Sequence, residues 1–303
     1  MTSLERHHTT AEGLWEALSP TQKLFPDPSK PIFRGQANAA WKLIPTVLRT
    51  PADEEPAVRE VMLGLETADA QVLYENMLLM EFCKYCDQVG VRIPGDSIKL
   101  REMLDPQHND RYFISPESWP NPDLFELMAF AQHHGIPTRL LDWCRHPYVA
   151  VYFAVESALK SYRKWSADWN LAIWVINIES IGLHREHMQI VRTPGSVSPN
   201  LAAQSGLFTI QRVSGGRGQA IKPADLREEF MAHGAKDILR LTVPVMESVR
   251  LLEFCERTGV NAASLFPGAD GAARAAKDSF RSGCARQWLV NNGLWRRDVC
   301  SSK

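Results

Sequence analysis

The chain has 303 residues, 45% of them hydrophobic and 23% charged, a globular composition with material for a sizeable core, which excludes a disordered or fibrous chain. Its 34 Lys and Arg against 35 Asp and Glu leave a net charge of −1, which argues against a dedicated nucleic-acid binder, a class that is usually basic overall. No apolar leader opens the chain, no window approaches the ~18 apolar residues of a membrane span, and the six cysteines are scattered, so reduced thiols, a cytoplasmic setting and no membrane contact are expected.

Residues 8–24 predict a short amphipathic helix with the Thr9-Thr10 pair at its N-cap. Ile32 and Phe33 predict a short strand broken by Gly35, and an apolar pattern resumes from Trp41 to Leu48. An acid- and proline-rich linker at 51–56 precedes a long helical pattern, 57–90, with Gly90 as its stop. Residues 105–122 read as a loop. A second helix, 123–135, ends at Gly135, because Pro137 could not continue it without losing a backbone hydrogen bond. A third, 147–162, opens on Pro147, and Ala150, Phe153 and Ala154 at helical spacing read as core-facing. The period then changes. Residues 171–178, 206–211 and 238–244 are short β-branched or aromatic runs of strand character, with a flexible loop at 214–220, and helices return at 246–259 and 271–289. No fixed-period repeat occurs, and helix-rich, strand-rich and helical stretches in that order predict an α+β fold.

Two constellations carry chemistry. In Phe33-Arg34-Gly35-Gln36, a strand ending in Arg-Gly places a guanidinium at a sheet edge where a backbone can approach closely, and the arginine fork suits phosphate or carboxylate; the plainer reading is a solvated surface arginine. The second is residues 132–146. Gln132, His133 and His134 occupy the last turn of a helix, where a cation is favoured for structural reasons alone. Thr138, Arg139, Asp142 and Trp143 follow at once. If 138–143 is extended, Thr138, Leu140 and Asp142 share one side and Arg139, Leu141 and Trp143 the other, so each face mixes polar with apolar groups. A ligand cleft explains this; so does a buried Arg139–Asp142 network that fixes loop geometry.

Other signals are weaker. Cys83 and Cys86 form a lone C-x-x-C with no second pair at zinc spacing, so ordinary thiols are expected and no metal site. The His7-His8 and His184/His187 pairs lack a carboxylate framework. Gly215–Gly218 lacks the Lys-Ser/Thr of a phosphate loop. Trp288 and Trp295 among Arg286, Arg296 and Arg297 could stack on bases or cover the core with a helix face.

Phe33-Arg34-Gly35, Gln132 to Trp143, Pro147-x-x-Ala-x-x-Phe-Ala, Ala202 to Ile210 and Ser264 to Gly271 occur in an order and spacing that resemble the FRG domain family over about residues 30–275, between an N-terminal helical segment (1–29) and a helical tail (276–303) packed on that domain. The pattern in turn resembles the ADP-ribosyltransferase superfamily. That resemblance implies a split β-sandwich with flanking helices, NAD as the nucleotide substrate, and an ADP-ribosyltransferase or NAD glycohydrolase acting as a bacterial toxin or phage-defence effector, with a protein or nucleic-acid acceptor and an antitoxin or regulatory partner. It implies that Arg34, with Gly35 and Gln36, holds the pyrophosphate, that His134, Thr138, Arg139 and Trp143 line the cleft, that Asp142 orients a substrate hydroxyl or Arg139, and that Gln204 meets ribose or the acceptor. Two departures stand out. Asp142-Trp143-Cys144 replaces the family's Ser-Thr-Ser, and no Glu lies near the third motif, where Asn200 and Gln204 are the nearest polar residues. An amide can hold a ribose hydroxyl but brings no charge to an oxocarbenium-like transition state. Asp142, a histidine, Glu126 or Glu156 could supply an acid. A non-catalytic nucleotide- or nucleic-acid-sensing module using the same cleft is the alternative, and a hydrolase built on His134 and Asp142 a third.

Overall fold

The computed structural model describes residues 5–26, 29–49, 66–181, 188–192, 203–221, 225–232 and 238–295. In chain order the elements are β1 (Glu5–His7), α1 (Ala11–Ala17), β2 (Pro31–Gln36), α2 (Ala68–Val89), α3 (Ile98–Leu104), α4 (Arg111–Ile114), α5 (Phe125–His133), β3 (Leu140–Cys144), α6 (Pro147–Leu159), β4 (Asn170–Asn177), α7 (Ile178–Ile181), β5 (Met188–Val191), β6 (Gly206–Gln211), α8 (Leu226–Ala232), β7 (Ile238–Pro244), α9 (Ser248–Arg257), α10 (Ala262–Leu265) and α11 (Ala269–Asn291). The α+β expectation holds: helices cover one seven-stranded sheet of order β1-β7-β4-β2-β3-β6-β5, antiparallel except for the β1–β7 pair.

The sheet is joined unevenly. β2 pairs with β4 over its whole length, from Pro31↔Asn177 to Gln36↔Ala172, and β3 pairs with β6 from Leu140↔Ile210 to Cys144↔Gly206. Between β2 and β3 the register holds a single pair, Phe33↔Cys144. The strands part beyond it, so Gly35 and Asp142, which a continued ladder would set opposite each other, are not paired.

Side-chain alternation covers both faces. On β4, Leu171, Ile173 and Val175 join a core with α1, α6, α9 and α11, while Ala172, Trp174 and Ile176 join a second core with Leu141, Trp143, Leu226 and Phe230. A strand buried on both faces reads as a continuous apolar run, as "LAIWVIN" does. A third core, built on α2, α3 and α5, packs against Leu140, Phe208 and Ile210. β3 sends Leu140 to this third core and Cys144 to the first, so the two cores lie on the same face of the sheet.

Several local expectations change. Gly35 does not break β2; the strand runs through it. A Cβ there would stand 1.9 Å from the Ala150 carbonyl oxygen and 2.9 Å from the Ala154 nitrogen, so the glycine lets α6 lie directly on the strand. β2 is the fourth of seven strands, but beyond Phe33 it is paired on the β4 side alone, so Arg34 stands at a local edge inside the sheet. The first helix is shorter than expected, with Thr10 as the cap that accepts from the Gly13 amide, and β1 precedes it. The described part of the long helix starts at Ala68, where the Thr67 hydroxyl accepts from the Ala70 amide, and Gly90 ends it at φ 69°; residues 50–65 lie outside the described residues. The 105–122 loop contains α4 and the buried Trp119. α11 runs across residue 275 without interruption. No described helix is long and apolar enough to cross a membrane.

Candidate functional site

The cleft opens where β2 and β3 part, between the helix C-terminus of α5 and the body of α6, with α11 as its third wall. Its cavity is about 450 Å³, within the range of small-molecule sites. Phe33, Arg34, Gly35, Asp142, Trp143 and Cys144 contribute from β2 and β3, and Gln204, Gly206, Leu207 and Phe208 from β6 and the turn before it. Gln132, His133 and His134 come from α5 and its cap, Phe153 from α6, and Phe266, Asp270 and Arg274 from α11 and the turn leading into it.

Arg34 occupies the gap itself. Its Nη1 donates to the main-chain oxygen of Asp142 at 2.9 Å and to Oδ2 of the same residue at 2.7 Å, taking up a carbonyl that the ladder leaves open. The arginine side chain is 12% exposed and the aspartate 60%, so water screens the ion pair, and its effect is orientation more than stability. Arg34 Nε is buried and has no partner among the described residues. On a guanidinium, Nε–H and one Nη2–H point the same way and form the fork that grips two oxygens of one anion. That fork is unfilled.

The other oxygen of Asp142 is also held. Gln132 Nε2 donates to Oδ1, and Gln132 Oε1 accepts from the Thr138 hydroxyl at 2.5 Å. The Thr138 oxygen in turn accepts from the Leu140 amide at 3.1 Å. Each oxygen of the Asp142 carboxylate thus accepts a side-chain hydrogen bond, one from Arg34 and one from Gln132, which orients it beside the arginine.

The structure brings Arg34, Gly35, His134, Asp142, Trp143 and Gln204 to the cleft, together with His133. His133 is partly buried, and burial, helped by the neighbouring His134 and Arg274, pulls its pKa below the ordinary histidine value. His134 is exposed and packs its ring against Phe130, 4.7 Å between centroids. Trp143 lines the cleft, but its ring is almost wholly buried in the second core, where Nε1 donates to Thr209 Oγ1 at 2.9 Å. Gln204 Nε2 donates to the Leu265 carbonyl at 3.2 Å, which leaves Oε1 for a hydroxyl. Ser205 beside it adopts φ 48°, an unusual conformation for a non-glycine residue, of the kind that collects at functional sites.

Three expected cleft residues lie elsewhere. Gln36 is buried on the second core, accepting from Trp174 Nε1 at 2.7 Å and donating to the Lys42 carbonyl. Thr138 is buried behind Gln132. Arg139 points away to Glu75 of α2, and Asp142 does not meet it; the expected Arg139–Asp142 network is replaced by Arg139–Glu75 and Arg34–Asp142. The extended-strand alternation fails for Arg139 because the strand begins only at Leu140. Asn200, His184 and His187 are outside the described residues.

The structure adds residues that sequence reasoning did not place in the cleft. Phe153, expected to face the core, packs against the first core and also lines the cleft, its ring edge-on to Phe266 at 6.2 Å. The Arg274 guanidinium lies over Phe266, 4.3 Å from the ring centroid. Asp270 and Arg274 are four residues apart on α11, a one-face spacing legible in the sequence, while Phe266 lies in the turn before the helix. The carboxylates lining the cleft are Asp142 and Asp270; Glu126 and Glu156 do not line it. Cys144 lines it too, but complete burial pushes its thiol up to about 12, so it is not a nucleophile near neutral pH.

The weaker motifs fall into structural roles. Cys83 and Cys86 are buried on α2, and burial raises the Cys83 thiol to about 11. No cluster of three or more metal-ligating side chains occurs among the described residues. The Gly218 amide donates to Asp69 at the start of α2. Trp288 packs on the first core and Trp295 lies against Arg250 and Arg286.

Residues 29–163 match the FRG domain family. The matched stretch spans β2, α5, β3 and α6, hence Arg34, Gln132, Asp142 and Phe153, but not Gln204, Phe266 or Arg274. No curated protein and no solved structure matches the chain.

Proposed function

We propose that the cleft binds a dinucleotide of the NAD type and that the chain is an ADP-ribosyltransferase-like enzyme, transferring ADP-ribose to an acceptor or, with water as acceptor, hydrolysing NAD. The observation that carries this reading is Arg34 itself: it lines a cavity of about 450 Å³, its Nη1 is held by Asp142, and its buried Nε–H has no acceptor among the described residues. A pyrophosphate oxygen pair fits its Nε/Nη2 fork. Phe153 and Phe266 offer aromatic faces and edges to a planar ring, and Arg274 adds a second cation.

In the reaction the bond between nicotinamide and the ribose C1′ breaks, nicotinamide leaves with the bonding electron pair, and the acceptor oxygen or nitrogen attacks C1′ and loses a proton. Gln204 Oε1 would accept from a ribose hydroxyl, while Arg34 and the cleft walls exclude water from the pyrophosphate. The toxin or phage-defence setting, with its antitoxin, follows from the family resemblance.

A second reading, a nucleotide-sensing module without turnover, is favoured by one observation: among the described residues that line the cleft there is no glutamate, and the carboxylates are Asp142, held by Arg34 and Gln132, and Asp270. Nicotinamide release and NAD-induced thermal shift, measured on wild type and Arg34→Ala, separate the two. Turnover present in wild type and lost in a folded Arg34→Ala supports the enzyme. A thermal shift without turnover supports the sensor. Binding that survives Arg34→Ala, or no response of wild type to NAD at all, removes the NAD assignment.

A further inference from the structure

The side chain most tightly specified around the cleft is not one that faces a ligand. Gln132 is tied at both ends of its amide. The Thr138 hydroxyl accepts from the Leu140 amide and donates to Gln132 Oε1. The acceptor-only carboxylate settles the amide orientation: Nε2 faces Asp142, where it can donate, whereas a flipped amide would set its oxygen against a carboxylate oxygen. From Nε2 the chain of donors continues to Asp142 Oδ1, and the opposite oxygen, Oδ2, receives Arg34 Nη1. The sequence of contacts starts on the β3 backbone, crosses to the last turn of α5, returns to β3 and ends on β2, spanning the parting of the sheet.

We infer that Gln132 is a positioning residue, which holds the Asp142 carboxylate so that Arg34 spends Nη1 on it and turns its Nε/Nη2 fork toward the ligand; this rests on the reading of the cleft as an oxyanion site. Asp142 is 60% exposed and β3 leaves it free to rotate about its side-chain bonds, so without Gln132 water competes for Oδ1. Arg34 would keep its charge and lose its direction. Specificity would fall on bidentate anions, since a point charge does not need a fixed fork and two parallel N–H bonds do.

The test compares wild type with Gln132→Leu, which removes the donor, and Gln132→Glu, whose carboxyl can donate to Asp142 only when protonated. Affinities for NAD and for inorganic pyrophosphate are measured by calorimetry across pH, beside melting temperatures. The expected result is about a tenfold loss in Gln132→Leu at every pH, the effect of one charge-assisted hydrogen bond. For Gln132→Glu the same loss or more is expected at about pH 8, with recovery relative to wild type as pH falls toward the glutamic acid range, raised here by the neighbouring carboxylate. A purely structural role would not produce that recovery. In the ligand-free proteins, the NMR signal of Arg34 Nε–H is expected to exchange faster in Gln132→Leu than in wild type. Wild-type affinity in both variants at all pH values, or an Arg34 signal untouched by Gln132→Leu, overturns the inference. If wild type binds neither anion, the oxyanion reading of the cleft falls by itself, and the Arg34 signal still decides whether Gln132 positions that side chain.

Discussion

Arg139 Nε donates to Glu75 Oε2 at 2.6 Å, and the two side chains are 2% and 3% exposed. The same oxygen accepts from Trp119 Nε1 at 2.8 Å, and Oε1 accepts from Gln71 Nε2 at 2.8 Å. The pair ties the start of β3 to α2 and carries Trp119 with it. It lies behind the cleft wall, not in it.

Truncating one partner of a buried pair leaves the other charge without compensation, at about 3–5 kcal/mol. Arg139→Ala is therefore expected to lower the stability of the protein by about that amount in urea unfolding. The double variant Arg139→Met, Glu75→Leu should recover much of the loss, because apolar replacements of similar volume remove the desolvation penalty too. Full stability in Arg139→Ala together with lost nucleotide binding would return Arg139 to the cleft.

Gly35 answers to α6 in the same way. A methyl group at this position would meet the Ala150 carbonyl at 1.9 Å, and that oxygen is helix backbone, which cannot rotate away. Gly35→Ala should force β2 and α6 apart and destabilise by about 3 kcal/mol or more, at the upper end of overpacking effects. Loss of soluble protein, or a melting temperature well below wild type, is the expected outcome. A variant that melts with wild type would mean that α6 shifts freely on the sheet.

Asp278 sets a pH dependence behind the cleft wall, one turn along α11 from Arg274. The Tyr152 hydroxyl donates to its Oδ2 at 2.7 Å, joining α6 to α11. Burial raises the Asp278 pKa, and the nearby Glu156 adds to this; the Tyr152 hydrogen bond, Arg281 and Lys160 act the other way without cancelling it. A carboxyl whose folded pKa is raised favours folding while protonated. That contribution is complete below the unfolded value near 3.9 and is lost as pH rises through the folded value. Asp278→Asn keeps an oxygen for Tyr152 and cannot ionise. It should melt above wild type at neutral pH, and the difference should shrink as pH falls toward 4. Equal melting curves at both pH values would show that the carboxylate is not penalised where it sits.

Much of the secondary structure was legible because local rules decide it. Thr10 and Thr67 cap helices through their own hydroxyls, Gly90 ends one in the left-handed region, and Pro147 opens another. The apolar runs of β4, β6 and β7 are short and bounded, so their strand character shows without any partner. β1 and β5 are three and four residues long and exist through pairing with β7 and β6, a contact that no local pattern announces.

At the site, the sequence by itself determined which residue types come together: an arginine beside a glycine on a strand, and Gln132, His133, His134 and Asp142 around a helix end, all near a helix that opens on proline. Only the tertiary structure decided their roles. Arg34 and Asp142 are 108 positions apart and meet because β2 and β3 part after one register pair. Arg139, three residues from Asp142, turns instead to a glutamate 64 positions away. Charged side chains choose partners by distance and burial in three dimensions, where an ion pair's energy depends on local water, and spacing along the chain carries no information about either.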